Sequence, residues 1–424
     1  MPLRNLYHPT QSELASYNSG IANSQQAPHG TEQGLTLKVA PESDRWRLEG
    51  ASLIGKNGLN GEGEASMTVG RPRAAMSSLA GYSPGKSAAQ AEREHGIANA
   101  IKLASNESPW PPIPAVTDAI KAAAAGVNRY GDNTATEVRE AIARWIDIAP
   151  DQISVGCGSS GVLQQLMLTY VDPGDEVVTP WASFEIYPVF CNLFDAKLVR
   201  VPLVNFGFDL DAVAEAVGEK TKIVFLATPN NPTGTSVATT EIERLVRRIP
   251  DDVIVVIDEA YREFNDPRFG DPVKDLVPKF RNVVVTRTFS KAYGLAGLRT
   301  GYGIGDTEVI SMIDRVRLAF SVNNLAQAAT LAAIEHDGEN QSRVDVLIGE
   351  RERLATALQE VGAPVVEGHA NFVFLATGAR SEELARELET MGLVVRPFPD
   401  LGLRITVSDR SDNNRVIAAL GELL

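Results

Sequence analysis

The chain has 424 residues, 44% of them hydrophobic and 22% charged, with a formal net charge of −14. That is the balance of a soluble globular protein too long for one ordinary core, and its acidic excess gives no electrostatic footprint for nucleic acid. Two cysteines and five scattered histidines, with no HExxH, leave no disulfide framework and no zinc ligand set.

Residues 1–70 are rich in Gly, Ser, Asn and Gln, as in "NSGIANSQQAPHGTEQG" and "GKNGLNGEGEAS". Such a composition cannot bury enough apolar surface to offset its ordering entropy, so a disordered extension is expected, with Met67 as a candidate translation start. The first twenty residues lack the apolar centre of a signal peptide. Apolar runs such as Val253–Ile257 are far too short to span a bilayer. A cytoplasmic protein without membrane contact is the expectation. An N-terminal arm over 71–109 leads into the patterned part of the chain.

"AVTDAIKAAAAG" and "ATEVREAIARWI" carry apolar residues at helical spacing. Strands and helices then alternate. The strands are "ISVG", "DEVVTP", "KLVRVPL", "KIVFLAT", "VIVVID" and "NVVVTRTFS". Between them lie the helices "VLQQLMLTYV", "FEIYPVFCNLF", "LDAVAEAV" and "TTEIERLVRRI". Strands that are apolar throughout, alternating with helices, predict a mostly parallel sheet covered on both faces. Beyond about 320 come the helices "LAQAATLAAIEH" and "RVDVLIGERERLATALQEV". The short strands "NFVFLAT", "LVVRPF" and "LRITVS" follow, a pattern that predicts a second, smaller α/β domain.

In open α/β sheets, ligands bind beyond the carboxyl ends of the strands. Four strand ends here carry chemistry. Gly156–Gly161 is a glycine-rich turn opening a helix, Asn231 follows "KIVFLAT", Asp258 and Tyr261 follow "VIVVI", and Thr288, Ser290 and Lys291 follow "NVVVTR". The turn matches GxGxxG, but the next strand ends in Thr179-Pro180-Trp181 rather than the acidic residue a dinucleotide site wants. A single phosphate at the helix start is the better reading. Each residue alone has an ordinary structural explanation: a turn for Asn231, a helix cap for Asp258, a solvated amine for Lys291. Their convergence on one sheet edge favours a site.

The motifs "KLASNES", "NRYGDN", "NNPTG", "DEAY", "RTFSKAYGLAGLR", "ANF" and "LRITV", in this order over about 72–424, resemble the fold-type-I, class-II pyridoxal-phosphate (PLP) aminotransferases. The likeness is to the histidinol-phosphate aminotransferase subfamily, closest to its phenylalanine and aromatic branch. The resemblance implies a large PLP-binding domain over 110–320, with a mostly parallel seven-stranded sheet, and a small C-terminal α/β domain over 321–424. It implies that Lys291 binds the cofactor covalently and then moves the proton, and that Asp258 pairs with the pyridine nitrogen. Asn231 and Tyr261 would bond the ring oxygen, and Phe184 would stack on the ring. The phosphate would be held by Gly158, Ser159, Ser160, Thr288, Ser290 and Arg299. Tyr130 would reach the phosphate of the neighbouring subunit, which implies a homodimer with shared sites. Arg404 would bind the substrate α-carboxylate.

Substrate choice rests on fewer residues. The histidinol-phosphate enzymes carry Asn-Glu-Asn-Pro-Tyr where this chain has Asn106-Glu-Ser-Pro-Trp110, so the tyrosine hydroxyl is missing and an indole is offered instead. Arg396, in "VVRPF", could still serve a substrate phosphate. An aromatic amino acid (phenylalanine, tyrosine or tryptophan) with a 2-oxo acid such as 2-oxoglutarate is the expected pair. Histidinol phosphate is the alternative. A nicotinamide-dependent dehydrogenase, a PLP decarboxylase or aldolase and a non-catalytic PLP-binding protein are the rival classes.

Overall fold

Valine-rich strands at the centre of the chain bury both of their faces. The computed structural model describes residues 85–424, together with Arg73 and Met76. The extension expected over 1–70 and the start expected at Met67 lie outside the described residues. Among the described residues the strands are β1 (Ile101–Lys102), β2 (Ile153–Cys157), β3 (Glu176–Trp181), β4 (Lys197–Pro202), β5 (Thr221–Ala227), β6 (Ile254–Asp258), β7 (Val283–Thr288) and β8 (Thr300–Ile304), then β9 (Val365–Val366), β10 (Phe372–Leu375), β11 (Leu393–Val394), β12 (Arg396–Phe398) and β13 (Gly402–Thr406).

Seven of them form one sheet in the order β2-β8-β7-β6-β5-β3-β4. β8 runs antiparallel to both of its neighbours, and the pairs from β7 to β4 are parallel. Successive residues of a strand point to opposite faces, and the packing obeys this. Val224, Leu226, Val255, Ile257, Val283 and Val285 enter one core, while Ile223, Phe225, Ile254, Val256 and Val284 enter the other. Each such side chain, fully buried, contributes roughly 1.5–3 kcal/mol. The parallel sheet expected from the apolar runs is therefore present, covered on both sides.

β8 was not expected from sequence, because "TGYGIG" shows neither an apolar run nor clean alternation. Its glycines have a packing cause. A Cβ at Gly301 would run into the backbone nitrogen of Ser159 and come 2.5 Å from the carbonyl carbon of Gly158; one at Gly303 would lie 2.7 Å from Val162 Cγ1. The helix Gly158–Tyr170 thus lies directly against β8, which brings its first turn to the edge where the strand-end residues converge. Gly301→Ala is expected to cost about 3 kcal/mol or more, since backbone cannot yield as a side chain does. Gly349→Ala, exposed in the middle of a helix with nothing within 4 Å of the added Cβ, should stabilise by about 1 kcal/mol. Thermal melts of the two variants check both signs.

A second sheet has the order β12-β13-β10-β9, all antiparallel. "LVVRPF" is not one strand as expected. Leu393–Val394 pairs in parallel with Ile101–Lys102, whereas Arg396–Phe398 joins the four-stranded sheet. The N-terminal segment is thereby stitched to the C-terminal part. Leu103 N–H donates to Val394 O at 2.7 Å, and Thr406 N–H donates to Leu103 O at 2.9 Å. Helix Asn324–Glu335 buries Ala326, Ala329 and Ala333 in the core shared with the seven-stranded sheet. Helix Asp337–Glu360 buries Val344, Leu347, Leu354 and Leu358 in the other unit. We propose that the division into a large and a small domain falls between these two helices, somewhat after the sequence-derived boundary near 320. Among the described residues no helix is long and apolar enough to cross a membrane.

Candidate active site

The strand ends open onto a pocket of about 500 Å³. Its lining includes Ser159, Ser160, Phe184, Asn231, Asp258, Tyr261, Thr288, Ser290, Lys291, Arg299 and Arg404, so most of the residues expected from sequence come together. Ser105, Asn106 and Glu107 complete the wall, delivered by the segment that follows β1.

Lys291 lies three residues past β7, and its Nζ donates to the carbonyl of Ser105 at 2.9 Å. Burial pushes its ammonium down to about 7, and the positive charge of Arg404 adds to this; Glu107 opposes it. Such an amine is free for a large part of its population near neutrality. Asp258 ends β6, 3% exposed. Burial pushes its carboxyl up to about 6, while hydrogen bonds from Tyr187, Thr286 and the Ala260 N–H pull it down. Tyr187 Oη donates to Oδ2 at 3.0 Å and Thr286 Oγ1 to Oδ1 at 3.2 Å.

Sequence reasoning missed Tyr187. It sits three residues after Phe184 on the helix Ile186–Phe194, fully buried, stacked on Phe225 at 4.5 Å and edge-on to Phe184 at 5.7 Å. A tyrosine on an apolar helix reads as core, and only the tertiary fold reveals its partner. Tyr187→Phe is expected to lower kcat about tenfold, the worth of one hydrogen bond to a charged group. Because that bond pulls the Asp258 carboxyl down, its loss should move the acid limb of the kcat–pH profile upward. A profile that stays in place would remove the proposed link.

Arg299 has a left-handed backbone, φ +61°, a conformation that costs a non-glycine residue about 1–2 kcal/mol. Its carbonyl accepts from the Gly158 N–H at 3.0 Å. Gly158 is itself at φ +69°, and a Cβ there would lie 2.6 Å from Arg299 Nη2, so this turn accommodates the guanidinium only with glycine. Gly158 does not line the pocket itself; it makes room for the arginine that does. Arg287, between Thr286, which bonds Asp258, and the pocket-lining Thr288, points the other way. It is 2% exposed and paired with Glu259 and Asp271, each at 2.7 Å, which ties the ends of β6 and β7 together.

Arg404, on β13, donates to Asn231 Oδ1 and to the Ala104 carbonyl, and its guanidinium lies over Phe372 and Phe398. Asn106 Nδ2 donates to Tyr261 Oη at 2.9 Å, and the Asn106 N–H donates to Thr406 Oγ1 at 2.9 Å. Asn106 is a second site residue that sequence reasoning left without a role, although it lies within the quoted "KLASNES" motif.

Besides Gly158, three expected residues, Trp110, Tyr130 and Arg396, are not part of the pocket lining. Trp110 packs against the core of the C-terminal unit. Tyr130 is 81% exposed and stacked on Phe320 at 4.4 Å. Arg396 pairs with Glu185.

The pocket fits PLP by its donor set. Two helix-start serines, the hydroxyls of Thr288 and Ser290 and the Arg299 guanidinium suit a phosphate. A buried carboxylate suits a protonated ring nitrogen, Phe184 suits the ring face, and a half-deprotonated lysine suits an aldehyde.

The comparisons agree with this chemistry. The family model "Aminotransferase class I and II" matches residues 98–420. An aromatic amino acid aminotransferase of Rhodococcus opacus (strain B4) is 43% identical over 82% of this chain and 94% of the relative. One of Thermobifida fusca (strain YX) is 43% identical over 81% of this chain and 94% of the relative. Among solved structures, the histidinol-phosphate aminotransferase from Sinorhizobium meliloti, in complex with pyridoxal-5'-phosphate, superposes with TM-score 0.77. It is 28% identical, over 83% of this chain and 97% of that one. With the expected lysine, carboxylate and phosphate donors gathered in one pocket, the chain belongs to the class I and II aminotransferases and is a PLP enzyme.

Proposed function

We propose that this enzyme moves the amino group between an aromatic amino acid and a 2-oxo acid such as 2-oxoglutarate. The names of relatives above 40% identity over four-fifths of the chain carry this reading. The pocket supports it, with Phe184, Ile186, Ala227 and Pro229 among its lining. PLP, when bound, supplies an electron sink for the substrate Cα. In our reading, Arg404 binds and orients the α-carboxylate. Arg299 and the hydroxyls of Ser159, Ser160, Thr288 and Ser290 hold the phosphate. Asn231 and Tyr261 bond the ring oxygen, and Asp258 keeps the ring nitrogen protonated. Lys291 Nζ takes the proton from Cα and returns one on the way to product.

We also propose a homodimer built partly on the face around Tyr130. Val127, Tyr130 and Leu318 are 61%, 81% and 77% exposed there, beside Phe320, which is more contiguous apolar surface than a lone side chain explains. A two-fold partner on this face is the expected cover. Sedimentation should show a dimer for the wild type and a weaker one for Tyr130→Ala/Leu318→Asp.

The substrate reading is tested by kcat/KM for phenylalanine and for histidinol phosphate with 2-oxoglutarate as acceptor. At least about a tenfold preference for phenylalanine is expected, equivalent to 1.4 kcal/mol. A preference for histidinol phosphate overturns it.

A further inference from the structure

Two arginines stand side by side at the substrate end of the pocket, and only one of them faces in. Arg396 on β12 and Arg404 on β13 are register partners in an antiparallel pair. Directly opposed residues of such a pair project from the same face of the sheet with Cβ atoms about 5 Å apart. Arg404 lines the pocket. Arg396 does not, because Glu185 holds it: its Nη2 lies 2.8 and 2.9 Å from the two carboxylate oxygens. Glu185 sits between Phe184 and Ile186, both of which line the pocket, so the pair is at its rim. The arginine is the more covered partner, with the side chains of Arg396 and Glu185 16% and 37% exposed, and it donates to both carboxylate oxygens, a charge-assisted contact.

We propose that Glu185 determines which anionic group the enzyme accepts, by occupying Arg396 and leaving Arg404 as the one guanidinium for the substrate. This rests on the reading of Arg404 as the α-carboxylate site. A carboxylate carries one negative charge and is matched by one planar fork. A phosphomonoester carries about −1.5 to −2 at neutral pH and has three acceptor oxygens, so it calls for a second cation. With Arg396 neutralised, an α-amino acid is served and an amino-alcohol phosphate is left under-compensated. Arg396 is therefore a latent phosphate ligand that Glu185 keeps out of use, and the specificity lies in the glutamate rather than in the arginine.

The test compares the wild type, Glu185→Ala, Glu185→Gln and the double variant Glu185→Ala/Arg396→Met. Each is assayed with phenylalanine and with histidinol phosphate at saturating 2-oxoglutarate. Either single substitution should raise kcat/KM for histidinol phosphate about tenfold or more relative to phenylalanine, the worth of one charge-assisted bond. The double variant should lose that gain. Inorganic phosphate should become a correspondingly tighter competitive inhibitor against phenylalanine in the single variants only. A substrate ratio that stays within about twofold of wild type, roughly 0.4 kcal/mol, overturns the proposal, and so does a gain that survives loss of Arg396. The wild-type preference itself tests the functional reading. The shift caused by removing Glu185 is scored separately, so the two can fail independently.

Discussion

Replacing Lys291 with alanine is expected to cut turnover by at least about 10⁴-fold, because on the proposed reading it removes both the covalent anchor and the group that moves the proton. The lysine is placed for both tasks. It emerges from the end of β7, its Nζ reaches the Ser105 carbonyl at 2.9 Å, and the ring of Tyr261 lies 5.9 Å from the nitrogen. Burial and the charge of Arg404 hold its ammonium near 7 instead of 10.5. The sign follows: a depressed lysine is a free amine above about 7, so the cofactor-free enzyme should capture PLP faster as pH rises through about 7 and then level off. A capture rate that keeps climbing towards pH 10, the range of an ordinary lysine, would contradict the assignment. Borohydride reduction of the wild type followed by peptide mapping should place the pyridoxyl group on Lys291, and the alanine variant should carry none. Stopped-flow absorbance and single-turnover assays supply the measurements.

Replacing Asp258 with asparagine is expected to lower kcat about 10³-fold while PLP is still held, the usual scale for losing one preorganised electrostatic partner. The buried carboxylate is the negative charge that would keep a ring nitrogen protonated, and an amide has no charge to offer. Burial raises the carboxyl to about 6 in the cofactor-free site; a neighbouring cation draws it down again. The acid limb of the loaded enzyme should therefore lie below 6. Retention of PLP separates this effect from simple loss of the cofactor, because Lys291 and the phosphate donors are untouched. Tyr187→Phe should give the milder version of the same defect. An Asp258→Asn enzyme with more than a tenth of wild-type kcat would remove Asp258 from this role.

Much of the candidate site was legible in the sequence because its residues stand at the carboxyl ends of strands that announce themselves. Within "KIVFLAT", "VIVVID" and "NVVVTRTFS", the runs 223–227, 254–257 and 283–285 are buried on both faces and are apolar throughout. The first polar residues after them fall on one edge of the sheet by topology alone. The misses share a different cause. β8 is hidden because two of its residues had to be glycine to let a helix lie on it. Tyr187 looks like core, and it is core except for one hydroxyl that meets Asp258 from 71 residues away in the chain. Asn106 reaches Tyr261 only because β1 pairs with β11, a contact between the two ends of the described chain.

Substrate selection shows the same division. Trp110 and Arg396 were expected to touch the substrate on the strength of their motifs. The fold packs the indole against the C-terminal core and gives the guanidinium to Glu185. The alternation of strands and helices and the covered parallel sheet follow from local periodicity, and the cofactor, with Lys291 as its expected anchor, follows from motifs that resemble a known family at the strand ends. Which neighbours tune those groups depends on the fold. Hydrogen bonds and ion pairs such as Tyr187 to Asp258 and Arg396 to Glu185 act over 3 Å in space but join residues 71 and 211 apart in the chain, and no periodicity encodes that distance.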